Sequence, residues 1–264
     1  MDERTKGAGE PRMKYVALGS SFAAGIGLGP RAPGSPYPCM RSINGYPQQL
    51  ARLVGLSLVD KSCSGATTKH VLHGGQYFQG PQLDALDAET ALVTLTIGGN
   101  DVRYVGDLVL MAGRNQRSFV GWLLRRLSKG PLSAEERNFA KLQDDLRATL
   151  GEIRRRSPRA RVVMVTYLAI LPPHGSCPTL GISEAEAALM RQVGARLAEV
   201  TRTAAREAGA DFVDMETLSI THHACAVIPW VNGWKKTKGT KFHPTLAGAE
   251  ATAKEIARLL DKPA

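Results

Sequence analysis

The residue types needed to attack a carbonyl occur in a few short stretches of this chain. The first is Tyr15-Val-Ala-Leu-Gly-Ser-Ser-Phe-Ala-Ala-Gly25. An apolar run of strand length, Tyr15 to Leu18, stops at Gly19 and is followed by two hydroxyls, Ser20 and Ser21. Open α/β sheets bind ligands at the carboxyl edge of their strands, so a serine delivered there is placed as a nucleophile. An ordinary strand-to-helix turn with a capping serine accounts equally well for this stretch alone. Two later stretches decide between the readings: Thr96-Ile-Gly-Gly-Asn-Asp101, again a strand running into a polar turn, and Lys241-Phe-His-Pro-Thr245 near the C-terminus. A serine hydroxyl needs a base to take its proton, and histidine titrates close to neutrality. The oxyanion formed by attack needs fixed donors, and an asparagine amide offers N–H where a carboxylate has none.

With Ser64-Gly-Ala66, these stretches put Ser, Gly, Asn and His in chain order, and in this the sequence resembles the SGNH hydrolases, also called GDSL-type esterases and lipases. The resemblance runs from about Lys14 to the last helix. It implies a three-layer αβα sandwich of flavodoxin-like type around a parallel sheet of about five strands. It also implies a serine esterase or lipase acting on carboxylic esters, with no cofactor and no metal. Carried over residue by residue, Ser21 becomes the nucleophile and His243 the base that later protonates the leaving alcohol. The oxyanion donors become the backbone N–H groups of Ser21 and Gly65 and the side chain of Asn100. Two departures stand out. Ser20 occupies the usual place of Asp in the GDSL stretch, and Thr240 stands three residues before His243, where the family often has Asp. The expectation is a Ser–His dyad in which the Thr240 backbone carbonyl orients the imidazole. Alternatives are a carbohydrate O-acetyl esterase and a non-catalytic binding domain on the same fold.

The elements that must position these residues follow from composition and periodicity. At 264 residues and 43% hydrophobic, the chain can bury one adequate core. Residues 1–12 are expected to form a flexible tail and 13–264 a single hydrolase domain. Strands are expected over Tyr15–Leu18, Leu56–Val59, Ala91–Ile97, Val162–Thr166 and Asp211–Asp214, with helices between them. These include Tyr46–Val54 and two helices opened by the capping boxes Ser133/Glu136 and Ser183/Glu186. Thr245 caps the last helix. Strand and helix alternate throughout, which predicts a parallel sheet covered on both faces. Residues 103–132 form a helical insertion in which Phe119, Trp122, Leu123 and Leu127 share a face and Arg125, Arg126 and Lys129 lie outside. A lid or lipid-contact element is one reading, and a packed core helix is the commoner one.

The net charge of +10 has no zinc spacing, aromatic interleaving or nucleic-acid module beside it, so a solvated basic surface or steering of an anionic substrate is expected rather than nucleic acid. Lys235, Lys236, Lys238 and Lys241 precede the key histidine and should disfavour its charged form. His222, His223 and Cys225 look like metal ligands but have no matching cluster, so no metal is expected. The four cysteines have no CxxC spacing; they allow three disulfide connectivities or four free thiols. The family resemblance favours Cys39–Cys63 and Cys177–Cys225. Met1 to Met13 has no apolar core of a signal peptide, so the chain is expected to be cytoplasmic, or secreted if a leader was removed. The expected partner is a small-molecule or lipid ester met by a monomer without a transmembrane segment, possible contact with a lipid surface being transient.

Overall fold

The computed structural model describes residues 13–235 and 239–262; the expected tail at 1–12, and Lys236 and Lys238, lie outside them. Five parallel strands form one sheet: β1 (Lys14–Gly19), β2 (Ser57–Asp60), β3 (Thr90–Thr96), β4 (Arg161–Val165) and β5 (Asp211–Val213), in the order β2-β1-β3-β4-β5. The strands are near-continuous apolar runs because both faces are covered. In β1, every residue from Tyr15 to Gly19 is buried.

The helices are α1 (Ser21–Ala24), α2 (Tyr46–Val54), α3 (Thr68–His73), α4 (Tyr104–Arg114), α5 (Phe119–Leu127), α6 (Phe139–Arg156), α7 (Glu184–Glu207), α8 (Met215–Leu218) and α9 (Leu246–Leu260). The chain steps from β1 one way to β2 and later the other way through β3, β4 and β5. Right-handed crossovers therefore put α2 on one face and α6 and α7 on the other. The packing agrees: α2 lies against α9, and α6 against α7 and α3. This gives the expected αβα sandwich. The direction reverses between β1 and β3, and a crevice opens at the carboxyl ends of such a pair of strands.

Most local expectations are met. The helix Tyr46–Val54 has the bounds read from its periodicity, Ser183 and Glu186 form a reciprocal box at the head of α7, and the Thr245 hydroxyl accepts from the Gly248 N–H to cap α9. Ser133 and Glu136 do exchange hydrogen bonds, but they close a turn and not a helix. The helix begins at Phe139, where Asn138 accepts from the Lys141 N–H. Both disulfides have the pairing the resemblance favoured, Cys39–Cys63 and Cys177–Cys225. Cys225 is therefore no metal ligand, and His222 stacks on Trp230 with ring centroids 4.1 Å apart.

Candidate active site

The serine is placed by the end of β1. Gly19 sits at φ +138°, and a Cβ there would come within 2.4 Å of the Thr96 carbonyl oxygen, so only glycine lets β1 run this close to β3. Its N–H donates to Gln82 Oε1 at 2.8 Å, and Gln82 Nε2 donates back to its carbonyl at 3.0 Å. The Ser20 N–H donates to the Thr96 carbonyl. The chain then turns into the short α1, whose first residue is Ser21. At a helix start the backbone N–H has no intrahelical partner, so that of Ser21 remains a donor.

His243 meets it from the other end of the sequence. Its Nε2 lies 2.8 Å from Ser21 Oγ, and its Nδ1 lies 2.8 Å from the Lys241 carbonyl. A carbonyl only accepts, so Nδ1 carries the proton and Nε2 is left with a lone pair toward the serine hydroxyl. The carbonyl facing the ring is thus that of Lys241, not that of Thr240 as expected from the sequence. The Thr240 carbonyl instead accepts the backbone N–H of His243 at 3.2 Å. The reason lies between them. Phe242 is buried at φ +56°, a left-handed conformation that turns the chain so that the ring folds back over residue 241. Asn232 clamps this turn: its carbonyl accepts from the Phe242 N–H, and its N–H and side-chain amide both donate to the His243 carbonyl.

Burial drives the His243 imidazole down to about 4, only partly offset by the bond to the Lys241 carbonyl. The sequence assigned this effect to four lysines, two of which lie outside the described residues; removal from water is the cause found here. The ring packs on Phe22, with centroids 5.3 Å apart.

Gly65 and Asn100 come to the same edge. Gly65 has φ +80°, while a Cβ there would meet nothing nearer than Gln76 Nε2 at 3.5 Å. Its backbone conformation, rather than lack of space, calls for glycine. The Asn100 amide donates to the Ala66 carbonyl at 2.8 Å, and next to it the Asp101 carboxylate accepts from the Thr68 N–H and hydroxyl. These bonds tie the turn after β3 to the head of α3. The disulfide Cys39–Cys63 ends two residues before Gly65, and the Ser64 N–H donates to the Cys39 carbonyl.

Sequence reading missed three supports of the site: Gln82, Asn232 and Tyr167. The buried Tyr167 hydroxyl accepts from the Gly99 N–H at 3.0 Å and pairs with Ser20 Oγ at 3.0 Å. Burial raises its phenol to about 12, so it stays protonated. A tyrosine just beyond the apolar run of β4 was the available signal, since that is the same sheet edge. Beside Asn100, a groove of about 560 Å³ runs between α4 and α5, lined by Val109, Leu110, Gly113, Leu124 and Trp234. Among the described residues, no group of His, Cys, Asp and Glu is placed to hold a metal ion.

A doubly wound parallel sheet thus carries a buried serine–histidine pair at its switch point, which makes this an α/β protein. Residues 17–251 match the model of the GDSL-like lipase/acylhydrolase family, and the chain belongs to that family. It is 34% identical over 218 residues to lipase 2 of Streptomyces coelicolor, covering 81% of this chain and 74% of that one. The crystal structure of an extracellular lipase from Streptomyces rimosus superposes with a TM-score of 0.74 at 26% identity, covering 95% of this chain and all (100%) of that one. The phospholipase A1 of Streptomyces albidoflavus gives 0.74 at 25% identity with the same coverage. The protein is a carboxylic ester hydrolase.

Proposed function

We propose that the protein hydrolyses esters of apolar acyl chains through an acyl-Ser21 intermediate, with a Ser21–His243 dyad. The observation that carries this reading is the hydrogen bond from Ser21 to the neutral Nε2 of His243, whose proton sits on Nδ1 facing a backbone carbonyl. Ser21 Oγ attacks the ester carbonyl carbon, and its proton passes to Nε2. The oxyanion is met by the Ser21 and Gly65 N–H groups and by the Asn100 amide, one of whose two hydrogens already fixes its plane on Ala66. The intermediate collapses, the Nε2 proton goes to the departing alkoxide, and the alcohol leaves. Water then gives a proton to Nε2 and attacks the acyl carbon; the bond from that carbon to Ser21 Oγ breaks, Nε2 returns its proton to Oγ, and the acid is released. The imidazolium formed on the way is stabilised by the Lys241 carbonyl, which takes the place of a carboxylate.

The apolar groove beside Asn100 favours a hydrocarbon acyl group over a sugar. The test is hydrolysis of p-nitrophenyl acetate and p-nitrophenyl octanoate by the wild type and Ser21→Ala. The wild type should turn over both, with the octanoate preferred in kcat/KM, and Ser21→Ala should fall to background. Equal rates for the two proteins remove Ser21 as the nucleophile; a strict acetate preference favours the carbohydrate O-acetyl esterase.

A further inference from the structure

Helix α5 turns its apolar side outward. Gly121, its buried residue, packs so closely on the preceding turn that a Cβ would lie 2.2 Å from the Gln116 carbonyl oxygen. On the open side stand Phe119 (73% exposed), Val120 (62%), Trp122 (49%) and Leu127 (74%). Phe119 and Trp122 stack on each other, with centroids 5.7 Å apart. The sequence favoured a packed core helix; the face expected to be packed is the one in water. Scattered exposed apolar residues need no explanation, but four on one nine-residue helix form a patch.

The charge around the patch says what fits it. From Leu108 to Ala134 there is no Asp or Glu, while Arg114, Arg117, Arg125, Arg126 and Lys129 are all in the segment. The nearest ion pairs in sequence, Arg103–Asp107 and Arg137–Asp107, flank it, and among the described residues its own cations form none. Arg126 lies over the Trp122 ring, 5.9 Å from its centroid. An apolar stripe rimmed by cations suits the boundary of an anionic lipid layer, where hydrocarbon takes the stripe and headgroups take the cations. A second copy of the chain would bring another net +10 to the same place. The same helix supplies Leu124 to the groove that ends at Asn100, so docking by the outer side would set the groove mouth at the lipid surface.

We infer that α5 is an interfacial docking helix that seats the protein on anionic lipid surfaces. This deepens the esterase reading and rests on it for the use of the site; docking itself is measurable without turnover.

The test is co-sedimentation of the full-length Ser21→Ala chain, which leaves the lipid intact, with vesicles of phosphatidylcholine alone or mixed with phosphatidylglycerol. The mixed vesicles should be bound at least about tenfold more tightly, with the advantage lost at high salt. A Phe119→Ser/Trp122→Ser/Leu127→Ser variant should lower partitioning at least about tenfold. In a chain with Ser21 intact, the same changes should leave hydrolysis of p-nitrophenyl acetate unchanged. Arg126→Gln/Lys129→Gln should remove the preference for phosphatidylglycerol; it spares every apolar contact and serves as the second variant if the triple change unfolds the helix. No binding to either vesicle, equal binding by the variants, or a dimer that the triple change converts to monomer would each overturn the inference. The ester assay fails separately: if Ser21→Ala keeps its activity, the catalytic assignment goes and the vesicle result stands.

Discussion

Gly19 carries the serines at the end of a buried strand and has both backbone groups paired to Gln82, whereas Phe242 carries His243 at φ +56° in a loop clamped by Asn232. The proposed nucleophile inherits its position from the sheet. The proposed base is held by a backbone outlier of the kind that costs about 1–3 kcal/mol and persists only when its surroundings over-determine it. On the proposed dyad, the contrast explains how the site could work without a carboxylate. A neutral, buried imidazole needs only an acceptor for Nδ1–H, and the turn at Phe242 supplies one from the main chain.

The comparison breaks most readily at His243. His243→Ala should lower kcat/KM for p-nitrophenyl octanoate by about 100- to 10,000-fold with little change in the far-ultraviolet circular dichroism. Because burial holds the free enzyme's imidazole at about 4, kcat/KM should rise with pH through about 4 and then stay flat to neutrality. Stability carries the same sign. The folded pKa lies below the unfolded value near 6.5, so the unfolded chain binds the proton first, and His243 weakens the fold as pH falls below that value. A rate limb near 6.5 would mean that the ring is solvated and that the orienting carbonyl is not sufficient.

On the serine side, Gln82→Leu leaves the buried Gly19 N–H without its acceptor. The expected loss is about 1–3 kcal/mol, read as a lower urea midpoint at unchanged slope. An unaltered midpoint would show that Gln82 does not hold the strand end. The smallest effect belongs to Thr240→Ala, which keeps both backbone carbonyls and should change kcat/KM by no more than about twofold. A loss as deep as that of His243→Ala would mean that the Thr240 side chain, and not a backbone carbonyl, holds the ring.

Legibility in the sequence followed the range of the interaction. The strand Lys14–Gly19, the helix Tyr46–Val54 and the box at Ser183 are set by neighbours within one element, and pattern alone located them. Gln82 with Gly19 and Tyr167 with Ser20 are bonds between residues 63 and 147 apart, with no local signature. The choice of the Lys241 carbonyl over that of Thr240 depended on a left-handed Phe242, which a bulky side chain does not announce. For α5 the periodicity gave the stripe but not its direction, because an amphipathic pattern looks the same whether protein or lipid covers it. At Ser133 the box motif was real, yet a turn uses the same reciprocal bonds as a helix start.

Ser21 and His243 are 222 residues apart in sequence, and α9, which follows the histidine, packs on α2 near the other end of the chain. A chain emerging from its N-terminus makes the proposed nucleophile 222 residues before the proposed base. On the proposed dyad, every copy that stops short of His243 is catalytically silent, however much of the sheet has formed. Turnover through that dyad waits for both partners, and the first cleaved ester records the closing of a 222-residue loop.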